Sequence, residues 1–180
     1  MQADLGKNFF ELFGLPTRFD VDATDLASRY RELQRRFHPD RFAAAPESER
    51  RLSMQMTAQI NGAYQTLRDP VARARYLLGL QGIDTNEETD TRMDPAFLME
   101  QMEWRENLDE IRQADNPRKR LMELADRIEQ SMQDKIGQFR QAIGRDAPED
   151  TGKARNIVRE MQFLEKMRQE IDNLEEELAL

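Results

Sequence analysis

Arg35-Arg36-Phe37-His38-Pro39-Asp40-Arg41-Phe42 is the stretch around which this chain is built. It contains the only histidine in the sequence, set directly before a proline. Proline disfavours the α region for the residue that precedes it, so a helix entering from the N-terminal side must end near Phe37 or His38. Pro39 fixes its own φ and donates no amide hydrogen. Asp40, accepting a hydrogen bond from a nearby backbone amide, is expected to tighten the bend. The outcome is a rigid corner that exposes an imidazole beside a carboxylate, with arginines on both flanks.

Both flanks are helical. Upstream, Leu26, Tyr30, Leu33 and Phe37 recur at helical spacing, with an N-cap among Asp22, Thr24 and Asp25. Arg29, Arg31, Arg35 and Arg36 lie off that stripe. Four arginines against Asp25 and Glu32 make a basic face that ends at the corner, continued by Arg41. Downstream, a short loop through Pro46 leads to a helix over residues 47–68. Its stripe is Leu52, Met56, Ile60, Ala63, Tyr64 and Leu67, and it stops before Asp69-Pro70. So short a loop makes the two helices antiparallel neighbours, with the corner at the hairpin tip. A further short helix precedes the hairpin: Asn8 and Glu11 form a capping-box pair, Gly14 and Pro16 end it, and Phe9, Leu12 and Phe13 share its core face.

Composition narrows the chemistry. Thirty-eight per cent hydrophobic and 34 per cent charged residues, with sparse glycine and proline, favour an all-α protein. The chain has no cysteine and one histidine. This removes disulfides, thiolate metal sites, a cysteine nucleophile and any multi-histidine metal centre. No Gly-x-Ser-x-Gly and no phosphate-cradling glycine loop is present. The expectation is a protein that is not an enzyme and uses no metal and no cofactor. No apolar run reaches membrane-spanning length and no secretory signal opens the chain, so a cytoplasmic protein without membrane contact is expected. Residues 1–84 hold 12 Lys/Arg against 11 Asp/Glu, whereas residues 85–180 hold 15 against 24. An acidic second half opposes nucleic-acid binding by the arginine helix.

With these pieces in place, a family resemblance can be stated. A Phe-rich helix ending Leu12-Phe13-Gly14-Leu15-Pro16, a basic helix, His38-Pro39-Asp40, then Ile60-Asn61-Gly62-Ala63-Tyr64-Gln65-Thr66-Leu67-Arg68-Asp69-Pro70 resembles a J domain. That is the module with which DnaJ-type co-chaperones stimulate ATP hydrolysis by their large chaperone partner. Residues 71–80 follow as one more short helix, and Arg73-Ala74-Arg75-Tyr76-Leu77-Leu78 is similar to the last J-domain helix of the HscB subfamily, which serves iron–sulfur cluster biogenesis. The organisation expected is a J domain over 1–80, a polar acidic linker over 81–94 and a second helical unit over 95–180.

That second unit carries three helical patterns, near 95–114, 117–143 and 149–178. Pro95 and Pro117 suit first turns, and Gly144 and Pro148 punctuate the last gap. Stripes at Leu121, Leu124, Ile128, Met132, Ile136, Phe139 and Ile143, and at Ile157, Met161, Leu164, Ile171, Leu174 and Leu178, fit an antiparallel three-helix bundle. A self-associating coiled coil is the other reading, but the spacing departs from strict heptads, and a monomer is expected.

The first of the three helices has apolar residues beyond what one stripe needs. With Phe97 at zero, Trp104, Leu108 and Ile111 fall within roughly 40° of it. Leu98, Met99 and Met102 fall at roughly 100° to 200°, and Glu103, Glu106 and Glu110 continue that side. Such a strip either packs on the third helix or on the J domain, or forms an exposed apolar patch edged by carboxylates. Resemblance to HscB implies the patch. In that family this segment binds the IscU-type iron–sulfur scaffold, and carried over by position the contacts are Leu98, Met99, Met102, Glu103, Glu106 and Glu110, joined by Phe163. Met102 stands where leucine is common, a volume-conserving exchange. The resemblance likewise implies that His38, Pro39 and Asp40, with Arg29, Arg31, Arg35, Arg36 and Arg41, engage an HscA/DnaK-type chaperone. The alternative is a general DnaJ-like co-chaperone delivering unfolded clients.

Overall fold

A computed structural model describes residues 6–85, 95–143 and 151–179. Among these residues there are seven α-helices and no strand, as an all-α fold requires. The chain divides into two compact units, Met1–Leu77 and Leu78–Leu180. No helix among the described residues is long and apolar enough to cross a membrane. Residues 86–94 of the expected linker lie outside the described residues, as do Gly144 and Pro148.

In the first unit, α1 spans Phe9–Phe13. Asn8 and Glu11 exchange backbone-to-side-chain hydrogen bonds of 3.0 Å each, the expected capping box. Gly14 then takes a left-handed conformation and the Leu15 amide reaches back to the Phe10 carbonyl at 2.8 Å, closing the helix. The deepest residues are Phe10 and Phe13, with Phe9 and Leu12 half-buried. This corrects the expected face. Phe9 instead stacks on Tyr76 at 4.3 Å between centroids and donates its amide to that phenol oxygen at 2.9 Å.

The hairpin consists of α2 (Ala23–Phe37) and α3 (Glu47–Arg68). Asp22 caps α2 by accepting from the amides of Thr24 and Asp25. Tyr30 stacks on Tyr64 and its hydroxyl donates to Asn61, while Ser53 bonds Phe37. Because the residue numbers on α3 fall as those on α2 rise, the helices are antiparallel, and the corner is their tip. The buried register of α3 is Ser53, Met56, Ile60, Ala63 and Leu67. Ser53 therefore takes the stripe position expected for Leu52, which is only half-buried. The short helix α4 (Pro70–Leu80) begins where Asp69 accepts from the Ala72 amide at 2.7 Å.

The second unit is built from α5 (Pro95–Ile111), α6 (Pro117–Ala142) and α7 (Thr151–Ala179). The expected extension of α5 to residue 114 is replaced by tight i→i−3 bonds from Gln113 and Ala114, the usual way a last turn satisfies its carbonyls. Arg118 donates to the Leu178 carbonyl and Lys135 pairs with Glu160, so α6 and α7 run antiparallel. Leu121, Leu124, Ile128, Met132 and Phe139 of α6 are buried, as are Ile157, Met161, Leu164, Ile171 and Leu174 of α7. Each such side chain removed from water contributes about 1.5–3 kcal/mol, and this burial holds the bundle together.

Candidate functional site

The corner is a helix end at which side chains take over two of the lost backbone hydrogen bonds. His38 has φ −56° and ψ 130°, the extended conformation that Pro39 imposes on its predecessor. Residues Pro39–Phe42 then form a single 3₁₀ turn, with the Arg41 amide on the His38 carbonyl at 3.0 Å. In a continuing helix the Arg35 carbonyl would accept from residue 39, but proline has no amide hydrogen. The Arg41 guanidinium supplies a substitute at 3.0 Å. The Phe37 carbonyl would accept from the Arg41 amide, which is directed elsewhere. It accepts instead from the Ser53 hydroxyl at 2.8 Å and the Thr57 hydroxyl at 3.1 Å, both on α3. Ser53 is fully buried.

At the tip itself, the roles of the imidazole and the carboxylate differ from expectation. The Asp40 side chain does not cap the turn. The Asp40 amide donates to His38 Nδ1 at 3.3 Å, and Asp40 Oδ2 lies 3.6 Å from the same nitrogen. An Nδ1 that accepts leaves the neutral ring's proton on Nε2. The His38 side chain is 51% exposed and that of Asp40 90%, so both groups face solvent.

The arginines divide into two sets. Arg31, Arg35, Arg36 and Arg41 are exposed around the corner, with the Arg36 guanidinium 5.4 Å from the Phe37 ring centroid. Arg29 is used internally. Its Nε bonds Asp25 at 2.8 Å, and its Nη1 reaches the carbonyls of Phe13 and Gly14 at 3.0 Å each. The Asp25 hydrogen bond, followed by the charges of Asp25 and Glu32, holds the guanidinium pKa above its ordinary value against the opposing effect of burial. Arg29 therefore ties α1 to α2, a different task from that of the open basic face.

On α5, Phe97, Trp104, Leu108 and Ile111 are buried, while Leu98, Met99 and Met102 are 42%, 66% and 65% exposed. Glu103, Glu106 and Glu110 are exposed on the same side. The off-core strip is thus an open apolar patch edged by carboxylates. Phe163 departs from expectation: it is 6% exposed, stacked on Trp104 at 6.0 Å and edge-on to Phe97 at 5.7 Å. Lys135, paired with Glu160 at 2.5 Å, sits 5.5 Å from the Phe97 ring centroid. Phe163 belongs to an aromatic core that supports α5 from beneath, because α7 packs against more than one neighbour and needs more than one apolar stripe. Ser53 and Thr57 are the residues that sequence reasoning passed over. Their only signal was a serine and a threonine four apart on a helix opposite a proline-broken end.

A basic helical hairpin with His-Pro-Asp at its tip defines the J-domain class, and the DnaJ domain profile matches residues 8–76. The profile described as the HSCB C-terminal oligomerisation domain matches residues 93–172. The co-chaperone protein HscB homolog of Shewanella pealeana is 43% identical over 171 residues, 95% of this chain and 98% of that protein. The solved structure of chaperone HscB from Vibrio cholerae superposes with a TM-score of 0.84 at 40% identity, covering 96% of this chain and 99% of that one. The crystal structure of human co-chaperone protein HscB gives 0.87 at 31% identity, covering 96% and 84%. The chain belongs to the HscB family of co-chaperones.

Proposed function

We propose that this protein is a two-site adaptor. Its His38-Pro39-Asp40 corner stimulates ATP hydrolysis by an HscA/DnaK-type chaperone, and its α5 strip delivers an IscU-type iron–sulfur scaffold for cluster assembly or transfer. The ATP is hydrolysed by the partner, in the cytoplasm, and no cofactor is required of this chain. The observation that carries the reading is the coexistence, in a member of this family, of two exposed recognition elements. One is a locked polar corner amid arginines; the other is an apolar patch edged by glutamates.

Each element has a physical task. Arg31, Arg35, Arg36 and Arg41 steer the encounter and set its register, as rim charges do. His38, Pro39 and Asp40 bind the partner's hydrolysis-competent state more tightly than its alternative, which linkage requires of any activator. Leu98, Met99 and Met102 bury apolar area against the scaffold while Glu103, Glu106 and Glu110 select a partner with basic groups at the matching positions. Holding the scaffold on the same chain raises its effective concentration at the chaperone. Flexible methionines also suit unfolded clients, so an unfolded model substrate that displaced scaffold from the strip would favour the general co-chaperone instead.

Single-turnover ATP hydrolysis by the chaperone tests the reading, with scaffold present or absent. Wild type should accelerate hydrolysis, whereas His38→Gln and Asp40→Asn should not. Stimulation by both variants at the wild-type level would end it.

A further inference from the structure

We infer that Ser53 and Thr57 are positioning residues of the trigger, acting through the Phe37 carbonyl on His38 and Asp40. The inference rests on the reading that this corner stimulates a chaperone ATPase. Three observations lead to it. The Phe37 carbonyl immediately precedes His38 and has lost its helical partner, because the Arg41 amide bonds His38 instead. Two hydroxyls from one helix converge on that single oxygen, at 2.8 and 3.1 Å, filling both of its lone pairs. Finally, Ser53 is a polar residue at a fully buried position in the otherwise apolar buried register of α3. Its buried hydroxyl is satisfied by the hydrogen bond to the carbonyl of the residue before the trigger.

The mechanical consequence follows from the geometry. The peptide plane whose oxygen is Phe37 O has the His38 nitrogen as its other end. Fixing that oxygen from α3 fixes the φ rotation axis of His38. Pro39 restricts His38 ψ, so the backbone that carries the imidazole has little freedom left. The Nδ1 contact with the Asp40 amide then orients the ring. The corner is held from both sides, by Arg41 on the Arg35 carbonyl and by the two hydroxyls on the Phe37 carbonyl.

The test uses the full chain as wild type, Ser53→Ala, Thr57→Val, the double variant and Thr57→Ser. Because His38 is the only histidine, its ring nitrogens give one unambiguous pair of signals in ¹⁵N-edited spectra. The double variant should retain helical content and show shifted His38 ring signals. Its maximal stimulation of the chaperone should fall roughly fivefold, the factor that one ordinary hydrogen bond represents. The concentration giving half-maximal stimulation should stay as in wild type, since the arginine face is untouched. Thr57→Ser, which keeps the hydroxyl, should behave as wild type. If the double variant does not fold, Thr57→Val alone carries the same comparison, because Thr57 is only half-buried. Wild-type His38 signals in a folded double variant would overturn the inference. So would shifted signals with undiminished stimulation, or a loss in Thr57→Ser as large as in Thr57→Val. If His38→Gln stimulates like wild type, the parent reading fails, whereas the ring signals still report whether the hydroxyls hold the corner.

Discussion

Gly14 and Arg29 show how much of the first unit depends on single atoms. Gly14 has φ +63°, and a Cβ there would lie 3.1 Å from Arg29 Nη1. Gly14→Ala therefore adds left-handed strain to an L-residue and crowds the guanidinium that bonds the Phe13 and Gly14 carbonyls. The expected loss is about 1–2 kcal/mol of stability in the first unit. Urea unfolding followed by the His38 ring signals measures it, and an unchanged midpoint would contradict the strain. The Arg29–Asp25 bond adds no pH dependence near neutrality from the arginine side. A cation whose folded pKa lies above its ordinary value contributes fully at all pH values below that ordinary value and loses the contribution only as pH rises through the folded one. Arg29 also shows a limit of sequence reading. Helical angle placed it correctly off the apolar stripe, but nothing in a wheel distinguishes an arginine that faces solvent from one that reaches 15 residues back to a glycine carbonyl.

At the scale of the element, α5 was the most legible helix. Two sets of apolar residues on separate faces cannot both be covered by one packing direction, and Leu98, Met99 and Met102 are indeed the open set. Phe163 is not legible from one stripe, because the buried residues of α7 include Ala154, Ile157, Val158, Met161, Phe163, Leu164 and Met167 and so cover most of its circumference. The same cause explains α3, where a serine at 0% exposure continues the register that Leu52 was expected to hold. Polar residues inside a stripe are invisible to hydrophobic periodicity unless their partner is known. Two substitutions separate patch from support. Leu98→Ala with Met99→Ala should weaken scaffold binding by at least about tenfold while leaving the bundle intact, given about 1.5–3 kcal/mol per buried apolar side chain. Unchanged affinity, measured by calorimetric titration, would remove the strip from the interface. Phe163→Ala should cost about 3–5 kcal/mol of bundle stability. It is read as a lower denaturation midpoint of the fluorescence of Trp104, the chain's only tryptophan.

Across the whole molecule, charge is the property that distinguishes the two recognition tasks. Residues 85–180, with 15 Lys/Arg against 24 Asp/Glu, carry the acidic excess of the chain, while the arginines of α2 and the corner are concentrated in a nearly neutral first part. Encounters steered by exposed charges weaken as salt shortens the screening length, to about 8 Å at physiological ionic strength. Raising the salt concentration should increase the concentration needed for half-maximal ATPase stimulation and leave its maximum nearly unchanged. Arg35→Glu with Arg36→Glu should flatten that dependence, and an equal salt slope in the variant would show that these arginines do not steer the encounter. The lock around Pro39 also dictates where the chain tolerates a change of length. Arg41 must reach residue 35 while Ser53 and Thr57 hold residue 37, so an added or deleted residue between 35 and 41 changes the span that the Arg41 anchor has to bridge. The run Ala43-Ala44-Ala45 is different: Ala43 and Ala44 are exposed, Ala45 is half-buried, and the run lies beyond the Arg41 anchor. Homologous chains can lengthen there without disturbing the trigger, so length variation at the hairpin tip should begin only after Phe42.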